Sequence, residues 1–382
     1  MMPLIEQFIN NKPLYYKHID HDRIKVAYDR VKQDLKLPKV IHVVGTNGKG
    51  STGRMIAHLL FLAGFNTAHY TSPHILRFNE RFWLNGNECN DEMLESAHKR
   101  LYAALDDELR VNLSYFEYTT LLALFAFEKC DYLVLEAGLG GEYDATNVIP
   151  KILSVITPID FDHQAFLGDN IENIASTKLK SIDKIAVIAL QPHIRVIDIA
   201  KETAKEKDTK LIFVEPNYQD EKIKQIAKSN GWGDFLCDNA KTALYALDAL
   251  QIKYDINNLN SWQMIGRYFA YKSNVRLDVG HNLHAARTLV EVMQNNTVLI
   301  YNTYEDKPYM EILKLLKPKI KKLLIIPIDS PRALNLKKLE QALKELDINY
   351  GFFDKTIKDN EKYLVFGSFS VVEAFLKEMN EK

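Results

Sequence analysis

The sequence predicts an α/β protein in two parts, each built around a mostly parallel sheet. Short β-branched runs alternate with longer helical patterns almost from end to end, as in βαβ units whose sheet is covered on both faces. Two of the early runs end in glycine clusters, within residues 45–50 and 138–141, where a strand turns sharply into the next element. The chain is 382 residues long, more than one compact core usually holds, so two or three domains are expected.

Taken in order, Lys39-Val40-Ile41-His42-Val43-Val44 reads as a buried strand, followed by a glycine-rich turn and a helix through about Leu62. Asp131 to Glu136 reads as another strand, and Ile152 to Thr157 and Ile185 to Leu190 repeat the pattern. A second series opens at Val275-Arg276-Leu277-Asp278, and the helix after it carries Leu283, Ala286, Leu289 and Val290 on one face. Strand candidates follow at Val298–Tyr301, Leu323–Ile326 and Tyr363–Phe366. No repeat of fixed period and no low-complexity linker interrupts the chain. The boundary is therefore placed at Met264–Tyr268, just before the second series, giving a larger domain over 1–268 and a smaller one over 269–382. Clefts between such domains, at the C-terminal ends of strands, are where ligands bind.

Composition narrows the partners. With 49 Lys+Arg against 50 Asp+Glu the formal net charge is -1, so the bulk attraction that draws a chain onto nucleic acid or an anionic membrane is missing. Neither partner is expected. Cys89, Cys130 and Cys237 lie far apart with no C-x-x-C and read as reduced thiols of a cytosol, not as disulfides or zinc ligands. The start, MMPLIEQFINN, lacks a basic lead and an apolar core, with Pro3 and Glu6 interrupting it, so no export leader is expected. No stretch approaches the roughly 20 apolar residues of a membrane span. The expectation is a cytoplasmic protein, and a monomer, since no heptad or hydrophobic stripe demands a partner.

The strongest local signal is Val43-Val44-Gly45-Thr46-Asn47-Gly48-Lys49-Gly50-Ser51-Thr52. Glycines let a backbone fold tightly enough for successive N–H groups to face one concavity, and the following helix adds its positive end. Lys49 supplies a point charge for β- and γ-phosphates, and Ser51 or Thr52 a hydroxyl near the place of a Mg²⁺ ion. The standard phosphate loop would have glycine where Val43 stands and Ser/Thr where Gly50 stands. Elsewhere, Glu136 ends a strand, where a carboxylate can face a cleft and serve as a hard oxygen ligand. His163 follows another strand end in Pro158-Ile159-Asp160-Phe161-Asp162-His163. Taken alone, either residue reads more readily as a structural side chain than as a ligand.

The variant spacing is itself a pattern. Gly45 to Ser51 resembles the nucleotide loop of the Mur ligase superfamily, and most closely its folate branch, the dihydrofolate synthase/folylpolyglutamate synthase family. Tyr70-Thr71-Ser72-Pro73-His74-Ile75-Leu76-Arg77-Phe78-Asn79-Glu80-Arg81 is similar to that family's substrate loop. So are Tyr115–Thr120, Leu135–Gly141 running on into Asp144-Ala145-Thr146-Asn147-Val148, Asp162-His163, Phe166–Asp169, Asp278–Asn282, Ser330-Pro331-Arg332 and Phe366–Phe369. These motifs keep family order from about residue 40 to 370.

The resemblance implies a large P-loop-type N-terminal domain and a smaller Rossmann-like α/β C-terminal domain. It implies an ADP-forming ligase in which ATP, dihydropteroate or a reduced folate, and L-glutamate are the substrates. ATP converts the carboxylate to an acyl phosphate, which the amine of glutamate attacks; such phosphoryl transfer is mostly positioning and charge neutralisation. Gly45, Thr46, Asn47, Gly48, Lys49, Gly50, Ser51 and Thr52 would hold ATP, with Asn239 at the base, Arg267 at the phosphates and Asp278 at the nucleotide edge. Ser72 and Glu136 would hold one Mg²⁺ and His163 a second, beside a monovalent cation. Lys178, fifteen residues beyond His163, would be the family's lysine carbamylated by CO₂. Phe116 would stack on the pterin with Thr119, Asp144 and Ala145 nearby, while His281 and Ser368 would meet the incoming glutamate. Lys49, Lys178 and His281 are the catalytic candidates.

Two departures from the family pattern stand out: Glu142 replaces an arginine in Gly140-Gly141-Glu142-Tyr143-Asp144, and Lys180-Ser181 follow Lys178-Leu179 where the family has Gly-Ile. The first reverses a charge beside the substrate site. Two other readings make different demands on the sequence. A kinase or GTPase predicts Ser/Thr after Lys49 and, for a GTPase, Asn-Lys-x-Asp, but Asn11-Lys12 continues as Pro13-Leu14. A non-catalytic nucleotide-binding protein predicts loss of Lys49, Glu136 and His163, and all three are present.

Overall fold

A computed structural model describes residues 4–13, 20 and 22–380; Pro3 and Leu14 lie outside them. The chain forms two compact units, Met1–Ile226 with Asp238–Trp262, and Ala227–Cys237 with Gln263–Lys382.

The first unit is built on eight strands: β1 (Lys39–Val44), β2 (Thr67–Tyr70), β3 (Phe82–Leu84), β4 (Asn87–Glu88), β5 (Tyr132–Glu136), β6 (Leu153–Ile156), β7 (Ile185–Ile188) and β8 (Lys210–Phe213). Their order is β4-β3-β2-β5-β1-β6-β7-β8. From β2 to β8 the pairs are parallel, and only the β2–β3 and β3–β4 pairs are antiparallel. β1 is central and buried from Val40 to Val44, which is why it reads as a continuous apolar run. The strands missed by pattern are mostly edges: β4 is two exposed residues and β8 has no buried residue, so neither carries a burial signal to read.

The helix Tyr115–Phe127 is buried at every residue from Glu117 to Phe127. A helix apolar nearly all round is a core element, and this one packs with Ala97 and Leu101 of the helix Asp91–Ala104 and with Leu133 and Leu135 of β5. Its start is set by a capping box: Ser114 Oγ accepts the Glu117 N–H at 3.3 Å, and the Glu117 carboxylate accepts the Ser114 N–H at 2.7 Å. The same carboxylate accepts three hydrogen bonds from the Arg23 guanidinium at 2.8–3.0 Å. A second cluster joins β6 and β7 to the helices Ile171–Leu179 and Ile194–Lys207. On β1, Val40 belongs to the first cluster and Val44 to the second. His42 lies between them on the same face, since strand side chains alternate.

The second unit has six strands: β9 (Phe269–Lys272), β10 (Val275–Asp278), β11 (Thr297–Tyr301), β12 (Ile320–Ile325), β13 (Tyr350–Phe352) and β14 (Lys362–Phe366). Their order is β13-β12-β11-β14-β10-β9, parallel except for β9. The helices Leu283–Val292, Tyr309–Leu316 and Leu336–Glu345 bury Ala286, Leu289, Ile312, Leu313, Leu339 and Leu343 in its core. Both sheets are of the mixed, mostly parallel kind that the alternation predicts. Among the described residues no helix is long and apolar enough to cross a membrane.

Leu122 is fully buried in the first core. We expect Leu122→Ala to destabilise the first unit by about 2–5 kcal/mol, read from its denaturant midpoint; an unchanged midpoint would contradict this packing.

Candidate active site

The candidate residues of the first unit gather at the C-terminal ends of β1, β2, β5 and β6. The helix Lys49–Leu62 starts abruptly because Gly48 takes φ 80°, a left-handed conformation that glycine adopts at little cost. A side chain there would also meet Asn239, whose Oδ1 lies 2.5 Å from the position of a Cβ. Asn239 is thus beside the loop. Its helix runs from Asp234 to Ala249, which puts it in the second turn.

The amides are shared differently from the simple cradle expected. Thr46 and Asn47 both donate their N–H to Pro158 O, at 2.9 and 3.1 Å. Thr46 Oγ1 also donates to Asp160 O at 3.0 Å and accepts the Asp160 N–H at 3.1 Å. These two residues tie the loop to the 157–163 turn. The amides without an intrahelical acceptor are those of the helix start, Gly48 to Ser51.

Two ammonium groups meet one carbonyl. Lys49 Nζ donates to Gly45 O and Thr46 O, each at 3.2 Å, and Lys178 Nζ donates to Gly45 O at 2.8 Å. Lys178 is 3% exposed. Burial, and then the Lys49 charge, bring its pKa down to about 7. Its helix is held close by the β5 loop: a Cβ on Gly141 would lie 2.6 Å from Lys178 O and 2.8 Å from its Cα, and the Glu142 N–H donates to Thr177 O at 2.8 Å. The two sequence departures answer each other, because Lys180 Nζ lies 3.1 Å from Glu142 Oε2.

Glu136 is 3% exposed at the end of β5. Its carboxylate accepts the Thr71 hydroxyl and the Ser72 N–H, the latter at 3.4 Å, so Ser72 and Glu136 are neighbours. The loop beyond Ser72 is pinned by Glu80, which accepts the N–H groups of Ile75, Leu76 and Arg77 at 2.7–2.8 Å. Buried Arg81 donates to His74 Nδ1 at 2.8 Å; burial and that guanidinium lower the His74 pKa to about 4, leaving it neutral. His163 adopts φ 52° ahead of the short helix Gln164–Leu167, with its side chain 41% exposed.

Phe116 packs on the glycine turn, where a Cβ on Gly138 would come within 2.6 Å of its ring. Thr119 is fully buried, its hydroxyl used on Phe116 O at 3.2 Å and Tyr70 OH at 2.8 Å. It supports Phe116 from behind. Asp144 Oδ1 accepts the Thr146 N–H at 2.9 Å and the Thr146 hydroxyl, and Oδ2 accepts the Leu139 N–H at 2.8 Å. Burial raises its pKa against those donors. Ala145 is buried next to it.

In the second unit, Asp278 ends β10 and braces its surroundings, accepting the Tyr268 N–H at 2.9 Å and the Gly280 N–H at 2.8 Å. Burial raises its pKa. Ser368 is buried and caps the helix Phe369–Asn380 through the Val371 N–H at 3.2 Å. Arg267 lies over the Phe369 ring at 5.3 Å, and His281 Nδ1 is 3.2 Å from Val279 O. Sequence reasoning passed over Asp160 and His193, which meet at 2.9 Å behind Thr46; no spacing rule links residues in separate βα units.

A buried lysine has a sign in solution. An unfolded lysine stays protonated to about pH 10.4, whereas Lys178 in the fold releases its proton near 7. Between those limits the unfolded chain binds more protons, so stability rises with pH. We expect the wild type to gain thermal stability on Lys178→Met from about pH 7 to about pH 10; parallel curves would contradict the shift.

Residues 43–271 match the model of the Mur ligase middle domain. A dihydrofolate synthase/folylpolyglutamate synthase of Haemophilus influenzae is 30% identical, over 98% of this chain and 97% of that one. The crystal structure of Helicobacter pylori folylpolyglutamate synthetase is 40% identical with a TM-score of 0.81, covering 99% of this chain and 98% of the other. E. coli FolC in complex with DHPP and ADP is 27% identical at a TM-score of 0.81, covering 98% and 96%. With the phosphate loop, the β5 turn and the buried lysine already in place, these likenesses assign the chain to the dihydrofolate synthase/folylpolyglutamate synthase family of Mur ligases.

Proposed function

We propose that this protein is an ATP-dependent ligase that joins L-glutamate to dihydropteroate and extends the glutamate tail of reduced folates, releasing ADP and phosphate. The observation that carries the reading is the meeting of Lys49 and Lys178 on Gly45 O within the phosphate loop. A kinase needs an acceptor pocket for one phosphoryl transfer. This chain combines a phosphate loop with a second polar cluster, Arg267, Asp278 and His281, on a separate Rossmann-like unit, as a three-substrate ligase requires.

In the reaction a substrate carboxylate oxygen attacks the γ-phosphorus and ADP leaves. The glutamate amine then attacks the acyl carbon, loses a proton, and phosphate departs as the amide forms. The protein's part is positioning and charge neutralisation. The helix-start amides and Lys49 hold the β- and γ-phosphates, Asn239 the base, and Arg267 the phosphates with Asp278 behind it. Phe116, braced by Thr119, offers its ring to the pterin beside Asp144 and Ala145. His281 and Ser368 meet the glutamate.

The donors fit Mg²⁺. That ion is usually held by one or two carboxylates together with substrate phosphates. Among the described residues no group of three or more His, Cys, Asp or Glu could close a cage alone. Glu136, with the hydroxyls of Ser72 and of Thr52, whose Oγ1 is buried without a hydrogen-bond partner, would hold one ion, which when bound neutralises phosphate charge. A second ion at His163 and a monovalent cation rest on the resemblance. We assign Lys178 as a carbamate: its amine nitrogen bonds the carbon of CO₂ and loses a proton, turning a cation into an anion. Only a neutral amine reacts so, and a pKa of about 7 makes one available near neutral pH. The remaining N–H can still donate to Gly45 O. The protein acts as a cytoplasmic monomer, in keeping with its balanced charge and the lack of a heptad or hydrophobic stripe in its sequence.

The direct test is glutamate-dependent ADP release with dihydropteroate and, side by side, with a reduced folate. We expect both to stimulate it, and Lys49→Ala to lower kcat by about a hundredfold or more. Silence with both acceptors would end the ligase reading. For the carbamate, enzyme stripped of bicarbonate should regain rate when it is added, more so near pH 8 than pH 6, and Lys178→Arg should not respond. A wild type indifferent to bicarbonate would return Lys178 to a plain ammonium.

A further inference from the structure

His42 is out of place on hydrophobic grounds. It stands in the central strand β1 between buried Ile41 and Val43, and is itself fully buried. An aliphatic residue would fill that site without the cost of burying a polar ring. Lys151, also largely buried, is drawn to the same place: its Nζ lies 3.4 Å from His42 Nδ1, 2.5 Å from Asn147 Oδ1 and 3.1 Å from Ser181 O. On the other side of the ring, His42 Nε2 lies 2.8 Å from Thr146 Oγ1, whose hydroxyl reaches Asp144 Oδ1.

The proton positions follow from chemistry. An ammonium only donates, so His42 Nδ1 accepts from Lys151. Burial and the lysine charge hold the ring neutral, so its single proton is on Nε2 and is donated to Thr146 Oγ1. The hydroxyl proton of Thr146 is then committed to Asp144. A carboxylate has about four acceptor sites. Thr146 O–H and N–H take two on Oδ1, the Leu139 N–H one on Oδ2, and the Gly138 N–H bonds to the carboxylate as well, so its acceptor sites are filled and it fixes the Gly138–Leu139 turn on which Phe116 packs.

We propose that Lys151, His42 and Thr146 form a one-way positioning relay that holds Asp144 ionised and oriented, and through it the Gly138–Leu139 turn that seats Phe116, the ring offered to the pterin. It rests on the ligase reading, and none of the three residues need touch the substrate. The relay sets recognition of the pterin-bearing substrate and leaves ATP untouched, because Lys151 and His42 reach no residue of the phosphate loop in the bonds described.

The test is steady-state kinetics on the full chain with dihydropteroate and ATP varied in turn. We expect Thr146→Val to raise KM for dihydropteroate about tenfold with KM for ATP within about twofold, and Thr146→Ser to restore it. His42→Phe should match Thr146→Val, and the double variant should be no worse than either, since links of one chain are not additive. Lys151→Met, which removes the donor that sets the tautomer, serves if His42→Phe does not fold. An active wild type whose His42 and Lys151 variants keep the normal KM, or whose effects multiply in the double variant, overturns the relay alone. A wild type that turns over no pteroate overturns the relay together with the ligase reading.

Discussion

The first unit is organised around a repulsion. Two lysine side chains, one from the phosphate loop and one from the helix Ile171–Leu179, bring their ammonium groups to the same carbonyl oxygen, Gly45 O. Burial first, and then the like charge of Lys49, disfavour the charged form of the more buried partner, and the pKa of Lys178 falls to about 7. The arrangement persists because neighbouring backbone leaves that helix no freedom to retreat. The β5 loop lies on it at Gly141, the Glu142 amide bonds to it at Thr177, and the Glu142 carboxylate reaches Lys180. What looks in sequence like two independent losses of family character is one compensated exchange. The ion pair is partly exposed and contributes little by itself; its effect is to let an acid stand in the β5 loop without an unanswered charge.

The same β5 loop ties the two halves of the chemistry together. One end touches the helix of Lys178, and the other presents Asp144, whose carboxylate organises the turn by accepting from Leu139 and Thr146. Between them Gly138 leaves room for the Phe116 ring. A displacement of this loop would therefore alter the seat of Phe116 and the buried lysine at once. Rigid support is what near-attack geometry requires, since small misplacements are costly in rate.

Much of this was legible in the chain, for reasons that differ by element. β1, β5, β10 and β14 were read closely because interior parallel strands are continuous apolar runs; β3, β4, β8 and β13 were not, because short edges and hairpins bury too little to leave a pattern. Residues whose chemistry is local could be placed from spacing: Lys49 at a glycine turn, Glu136 at a strand end. Residues whose role depends on a distant partner could not. Nothing in Thr46 or Asn47 announces that their amides belong to Pro158, or in Thr119 that its hydroxyl is used on Phe116 and Tyr70. Asp278 and Ser368 look like ligands in sequence, and the fold first uses them as a backbone brace and a helix cap. Glu142 and Lys180 sit in different motifs, so their pairing needs the loop to fold back on the helix.

The charge balance of the whole chain now has a local meaning. A formal net charge of -1 gives no long-range pull on anionic substrates, so attraction has to come from the few groups held at the site. Lys49 lies on the loop's own carbonyls, and the helix-start amides add a fixed partial charge that no titration removes. Asp160, behind Thr46, accepts the Phe161 N–H and pairs with His193. A loop lysine hydrogen-bonded to backbone carbonyls keeps its charge for a ligand. That is the condition under which fixed dipoles and cations act most strongly on developing negative charge, and it explains how a nearly neutral protein can be built to handle substrates that are all anions.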